Sequence, residues 1–246
     1  MDRVLVTGGA GFLGSHLVDA LVAARVSVVV VDNLFRGSRG NIADHLEKRS
    51  VEFLEVDIRN RGELEKHFNS VDTIFHFAAI NGTLYFYEMP FEVLEVNVEG
   101  TRNVLSLAAE HGIEKVVFAS TSEIYGHPLR VPTDENEPSV LQPPLSPRWS
   151  YATSKLYDEQ LCHAYHKKHS LDVTILRYFN LYGPRLLGTP YGQVVGIFIK
   201  RAFENKPPVI YGDGGQTRSF TYVGDAVEAT LLAAQKEASH IPYVKV

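Results

Sequence analysis

The sequence predicts an α/β fold in which a parallel sheet is wound with helices on both faces, and two observations carry that prediction. Short apolar, β-branched runs recur along the 246 residues, and longer segments of helical period separate them. A parallel sheet produces this alternation because each strand needs a crossover before the next can run the same way. Second, VSVVVV and KVVFAS are apolar throughout instead of alternating, as suits strands covered on both sides. The length allows one large domain or one and a half at roughly 150 residues each. Hydrophobic residues at 45% and charged residues at 22% exclude a disordered tail or a fibrous repeat.

The strands expected in order are Val4–Val6, Val26–Val31, Val51–Val56, Thr73–Phe77, Lys115–Ala119 and Val173–Tyr178, each a short apolar run bounded by polar or glycine residues. Helices fill the gaps at Phe12–Ala24, Arg61–Phe68, Phe91–His111 and Tyr151–His169, where apolar residues return every three or four positions. Between His127 and Arg148 six prolines and the absence of any apolar period predict a loop, and one this long is usually functional. After Tyr178 the alternation weakens around a helix near Val194–Glu204. The expected division is a domain over 1–178 and a small, truncated substrate lobe over 179–246, whose 224–236 helix packs back on the larger domain.

Charge and cysteine content narrow the function classes. Lys and Arg number 24 against 29 Asp and Glu, a net charge of −5 with no like-charged block, which argues against a nucleic-acid or anionic-membrane surface. The single cysteine, Cys162, has no partner for an internal disulfide, so a reducing cytoplasm fits. MDRVLVTGG runs directly into a strand without a basic, apolar leader, so no signal peptide is expected. No apolar run reaches the roughly 18 residues of a membrane span. The histidines show no metal-ligand spacing, and no metal is expected.

The first strand runs into Thr7-Gly8-Gly9-Ala10-Gly11-Phe12-Leu13-Gly14 and then an amphipathic helix. Glycines at 8, 11 and 14 allow a tight turn, close approach to a pyrophosphate and close helix packing, while the helix start offers free amides. With strand before and helix after, this is the fingerprint of a Rossmann-type dinucleotide site. Asp32, followed by Asn33, ends the second strand where a carboxylate can hold the adenosine ribose. That favours NAD over NADP, although Arg36 and Arg39 nearby are residues a 2′-phosphate would want. Asp57-Ile58 and His76-Phe77-Ala78-Ala79 lie at carboxyl ends of strands, where ligands of such sheets bind. Asp57 could take an adenine hydrogen bond or simply cap a turn.

Tyr151 and Lys155 stand four residues apart at the start of a helix, so both leave the same face. Tyrosine serves as a base near pH 7 only if its pKa falls by about 3 units, which a neighbouring ammonium and an oxidised nicotinamide ring can supply. The preceding strand ends in Ser120-Thr121-Ser122-Glu123, bringing hydroxyls and a carboxylate to the same edge. There Thr121 could hold a substrate oxygen while Tyr151 exchanges its proton.

Together TGGAGFLGS, Asp32, DIR, HFAA, Asn97 in EVNVEGT, STSEIYG, YATSK, RYFNLYGPR and GDGGQTRSFTYVGDAVEA resemble the extended short-chain dehydrogenase/reductases that act on nucleotide sugars. These include UDP-glucose 4-epimerase, sugar 4,6-dehydratases and UDP-glucuronate decarboxylase, and the likeness spans residues 4 to about 229. The resemblance implies tightly held NAD and a catalytic set of Thr121, Tyr151 and Lys155, with Asn97 supporting the lysine end of a proton relay. Gly8, Gly11, Phe12, Leu13, Gly14, Asp32, Asn33, Asp57, Ile58, Phe77, Ala78, Ala79 and Tyr178 would line the cofactor. Tyr151 would deprotonate the sugar 4-hydroxyl to give a 4-keto sugar. Dehydratases carry Asp-Glu after the threonine, whereas Ser122-Glu123 and PRWSYATSK are similar to the decarboxylase pattern. A UDP-glucuronate decarboxylase-like reaction is therefore expected, with 4-epimerisation or 4,6-dehydration as alternatives and a non-catalytic dinucleotide sensor as a remote one.

Substrate contacts implied by the resemblance are Asn180 and Arg218 to the diphosphate, with Val209 to Tyr211 along the uracil. Arg218 could alternatively pair with Asp213 or Asp225 on the surface. The family often dimerises through two long helices per subunit. Here those would be Phe91–His111 and Tyr151–His169, with Val98, Leu105, Leu161 and Tyr165 as apolar candidates. The closing ASHIPYVKV does not resemble the family's continuation.

Overall fold

The computed structural model describes residues 1–189, 191–235 and 243–246. In chain order the elements are β1 (Arg3–Thr7), α1 (Phe12–Ala23), β2 (Ser27–Val31), α2 (Ala43–Glu47), β3 (Val51–Leu54), α3 (Arg61–Glu65) and β4 (Thr73–His76). There follow α4 (Thr83–Glu88), α5 (Pro90–Glu110), β5 (Lys115–Thr121), α6 (Ser150–His169), β6 (Asp172–Tyr178), β7 (Leu181–Tyr182), α7 (Val194–Phe203), β8 (Thr221–Tyr222), α8 (Val223–Gln235) and β9 (Tyr243–Lys245).

Seven strands form one parallel sheet in the order β3-β2-β1-β4-β5-β6-β9, and β7 pairs with β8 in a separate two-stranded ribbon. The strands are buried on both sides because successive side chains take opposite faces. Leu5, Val29, Val31, Ile74, Val116 and Phe118 join α5 and α6 in one layer. Val4, Val6, Val28, Val30, Phe75 and Val117 join α1 and α8 in the other. Ala226 and Val227 of α8 are buried in that second layer, so this helix packs on the large sheet.

Several boundaries differ from the sequence expectation. The third strand stops at Leu54 because the Val56 amide turns back to the Leu54 carbonyl, and the helix from Arg61 ends at Glu65 in tight turns through His67 and Phe68. β5 continues two residues past Ala119, pairing Thr121 with Tyr178. Residues 83–88, where no element was expected, form α4. The closing segment, read as unlike the family, supplies β9, which pairs parallel to β6. Residues 236–242 between them lie outside the described residues. The proline-rich 127–148 stretch carries a single bridge, Gly126 to Val140, and a short 3₁₀ turn begins at Pro147.

α6 is unusually polar for a helix in the core: Lys155, Asp158 and Glu159 are all buried. Glu159 is compensated by Arg177 of β6 through two bonds of 2.9 and 2.7 Å, and it also accepts from Ser120 Oγ at 2.5 Å. A buried bidentate pair of this kind costs much if one partner is removed. Replacing Arg177 by Met is expected to lower the unfolding free energy by about 3–5 kcal/mol. Exchanging both Arg177 and Glu159 for apolar residues should recover most of that loss, as urea unfolding at neutral pH would show.

Candidate active site

The strand order reverses between β1 and β4, and a crevice opens there beyond the carboxyl ends of the strands. It is a cavity of about 870 Å³, within the range of small-molecule sites. On its floor the turn after β1 passes so close to β4 that a Cβ on Gly8, whose φ is +70°, would lie 2.8 Å from the Ala78 amide nitrogen. A Cβ on Gly14 would meet the Gly8 carbonyl oxygen at 2.2 Å. α1 starts at Gly11 without any side-chain cap, leaving the first-turn amides of Phe12, Leu13 and Gly14 facing the crevice. This cradle fits a dinucleotide pyrophosphate on a built feature: a backbone approach that a side chain would fill, ending in uncapped amides.

Asp32 follows β2 at the crevice wall, 7% exposed. Burial pushes its carboxyl up, while amide hydrogen bonds from Ala10 at 3.0 Å and Leu34 at 2.8 Å pull it back. Each oxygen keeps a second lone pair for a ribose hydroxyl. Neither arginine adjoining this strand end closes on Asp32. Arg39 pairs with Glu55 and lies over the Phe53 ring, and Arg36 lies 5.6 Å over the Tyr85 ring. Phe35, Arg36, Tyr85 and Tyr191 come together over one side of the crevice, the two tyrosine rings stacked at 4.3 Å.

The catalytic candidates converge on the opposite side. Thr121, Ser122, Glu123, Tyr151 and Lys155 all line the crevice. The Tyr151 ring stacks on Phe86 of α4, with centroids 5.2 Å apart and planes 5° from parallel, and the Thr121 hydroxyl lies close enough to its phenol to lower its pKa. Burial pushes the Tyr151 phenol well up, Glu123 adds to this, and Thr121 and Arg36 act the other way. Lys155 is buried on the same helix face, its Nζ 4.5 Å from the centre of the Phe118 ring; burial lowers its pKa and Asp158 opposes that. Glu123 pairs at 2.5 Å with Arg148, whose guanidinium lies over the Phe86 and Trp149 rings. Sequence reasoning passed over Arg148, Phe86 and Tyr191 and weighed Arg36 only as a partner for a 2′-phosphate. Only their meeting in space marks them.

Other expected residues take different places. Ile58, Asn33, Phe77, Ala78, Ala79 and Tyr178 line the crevice, as do Asn180 and Arg218. Asp57 does not: its carboxylate is held by three Arg59 contacts and by Asn33, which lowers its pKa. Asn97 is wholly buried behind the wall, bonded to the Ile80 amide at 2.8 Å and to Ser154 Oγ at 3.0 Å, so it braces the helix beside Lys155 instead of touching the lysine. Val209 and Tyr211 are 45% and 82% exposed and lie outside the crevice, because the 205–220 segment runs as exposed coil with nothing packed to direct these side chains inward. Arg218 bonds the Thr217 carbonyl and makes no ion pair with Asp213 or Asp225 among the described residues. Leu105, offered as a dimer contact, is spent in the core.

Among the described residues no cluster of His, Cys, Asp and Glu could hold a metal ion, and no helix is long and apolar enough to cross a membrane. The chain is similar to known proteins along nearly its full length. It is 42% identical over 237 residues to the UDP-N-acetyl-α-D-glucosaminuronate decarboxylase of Bacillus cytotoxicus, covering 96% of this chain and 72% of that one. A putative UDP-glucose 4-epimerase of Methanocaldococcus jannaschii is 40% identical over 232 residues, covering 94% and 72%. Among solved structures, the UDP-glucuronic acid 4-epimerase of Bacillus cereus in complex with UDP-glucuronic acid and NAD superposes with a TM-score of 0.87 at 33% identity, covering 99% of this chain and 77% of that one. A profile matches residues 4–244, and with the glycine cradle, the strand-end aspartate and the Thr-Tyr-Lys constellation this shows that the chain belongs to the NAD-dependent epimerase/dehydratase family.

Proposed function

We propose that this enzyme decarboxylates a UDP-linked uronic acid through a 4-keto intermediate. The observation that carries this reading is the placement of Glu123 and Arg148 as a cleft-lining ion pair beside Tyr151, a carboxylate and a cation next to the proton-handling phenol. Residues 1–178 supply the dinucleotide site and the catalytic set, and Asn180 and Arg218 reach the crevice from beyond Tyr178 to hold the diphosphate.

Bound NAD supplies the hydride acceptor, later the hydride donor, and a ring whose positive charge opposes the rise in the Tyr151 pKa. The cradle of Gly8, Gly11 and Gly14 with the α1 amides holds its pyrophosphate, and Asp32 its adenosine ribose. Thr121 and Tyr151 bracket the sugar 4-hydroxyl, and Tyr151 takes its proton as carbon 4 is oxidised and returns it when the ketone is reduced. Lys155, on the same helix face, favours the phenolate by its charge. Phe86 fixes the phenol ring by stacking, so the proton acceptor has one orientation. The 4-ketone takes up the electron pair left when the carbon 5–carboxyl bond breaks and carbon dioxide leaves, and carbon 5 of the resulting enolate takes a proton from water before the ketone is reduced. Glu123 and Arg148 line the crevice beside Tyr151, where this step takes place.

The decisive experiment incubates the purified protein with NAD and a panel of UDP-glucuronate, UDP-N-acetylglucosaminuronate and UDP-glucose, with products read by mass spectrometry. Loss of carbon dioxide from a uronate is expected. Unchanged mass with altered retention would replace decarboxylation by epimerisation. Tyr151→Phe should cut turnover about 10²–10⁴-fold with NAD affinity unchanged. Gly14→Ala should weaken NAD at least about tenfold, the equivalent of 1.4 kcal/mol, as read by fluorescence titration.

A further inference from the structure

One buried charge on the catalytic helix has no part in the mechanism above. Asp158 lies three residues after Lys155 and seven after Tyr151, on the same face of α6. It is 0% exposed, and neither carboxylate oxygen has a hydrogen-bond donor in normal geometry. A carboxylate in such a place is costly unless an opposite charge compensates it.

The surrounding groups identify the compensating charge. Glu159, the neighbouring acid, is already matched by Arg177 and Ser120. Cys162 and Tyr151 on the same helix are neutral as a thiol and a phenol, and burial pushes both upward. From β4, His76 is wholly buried, and burial together with the Lys155 charge pushes it down to about 3, so it too is neutral. Lys155 is the cation left on this face. It does not close a salt bridge with Asp158, and the two interact across the buried space of one helical turn.

The hydrogen bonds beneath the sheet edge point the same way. Thr7 Oγ1 accepts from the Phe77 and Ala78 amides, so its own proton goes to His76 Nδ1 at 2.7 Å. His76 therefore carries its proton on Nε2 and donates it to Thr101 Oγ1 at 3.0 Å. That leaves the Thr101 proton to be directed elsewhere, and the Thr101 hydroxyl approaches Asp158 from α5 without closing a full hydrogen bond. The run from the glycine turn thus ends in a Thr101 proton with Asp158 as the acceptor beside it; burial pushes that carboxyl up to about 7, and the Lys155 charge and Thr101 pull it back.

We propose that Asp158 is the buried counter-charge of Lys155, a positioning residue that sets the charge state of the Tyr151–Lys155 pair without touching substrate. The proposal rests on the proton-handling reading of that pair, but its first test does not. Two opposite effects follow from removing the charge. In the intact chain Asp158→Asn strips Lys155 of its partner and lowers the thermal midpoint. In a Lys155→Met background the same substitution removes an uncompensated buried carboxylate and raises the midpoint. The Lys155→Met single variant should also lose stability as pH rises above about 4, where an unfolded-state Asp releases its proton while the buried one resists, and the double variant should not.

The measurement is thermal unfolding of the four proteins between pH 5 and 9. Reversal of the sign of the Asp158→Asn effect between the two backgrounds is the expected result. The same sign in both would mean that Asp158 is carried neutral, and would overturn the proposal. A second readout uses turnover in the holoenzyme. Asp158→Asn should move both limbs of the kcat–pH profile to lower pH by about one unit, since the phenol and the ammonium each lose a nearby negative charge. A plateau lowered with both limbs in place would mark a merely structural role and overturn the assignment. If no UDP-sugar is turned over, the functional reading fails while the stability cycle still decides the pair.

Discussion

The site depends on one geometrical constraint: seven strands all running the same way must all end at the same edge. Each β-to-β passage is then a crossover over one face, so the loops leaving the strands gather where the sheet stops. The turn of Gly8, the carboxylate of Asp32, the backbone of Phe77 and Ala78, the hydroxyl of Thr121 and the ring of Tyr178 come from five separate strands. They share a crevice because parallel pairing aligns their ends. The contact that makes the crevice narrow is the approach of the β1 turn to the β4 loop, which leaves no space for a β-carbon at Gly8.

The same edge ties catalysis to stability. α6 packs against α5 and the sheet, and Tyr151, Lys155, Asp158 and Glu159, the polar groups of the proposed proton-handling face and their neighbours, are buried with it. Glu159 and Arg177 neutralise one another at the heart of the molecule, Asn97 ties the loop after β4 to Ser154, and the Thr7–His76–Thr101 run links the cofactor turn to the helix pair. These contacts hold the helix in one register against the sheet. For the Tyr151–Lys155 pair in the proposed mechanism, fixed register is worth more than additional apolar burial.

Most of the architecture was legible in the sequence because parallel strands advertise themselves as continuous apolar runs and glycines at 8, 11 and 14 have few structural uses. Residues on regular elements near a strand end, such as Asp32, Thr121, Tyr151 and Lys155, were placed by spacing alone. What remained hidden depends on contacts between distant segments. The two-residue strands β7 and β8 exist only through each other, α4 lies in a TLYFYE run whose aromatic residues obscure any period, and β9 is three residues long. Val209 and Tyr211 were assigned by likeness, and coil segments such as theirs have no register to transfer. Asp158 sat in full view three residues after Lys155. Its spacing from Lys155 was visible, whereas the fact that nothing neutral compensates it required knowing what lies across the helix interface.

Cys162 lies one turn further along the same buried face, wholly enclosed, with burial pushing its thiol upward. As the only sulfhydryl in the chain, it is shielded from alkylating reagents while α6 stays docked. Labelling at this position therefore reports opening of the helix interface. With reagent in excess, its rate measures how often the molecule exposes the interior of its catalytic helix, so the sequence carries its own clock for that motion.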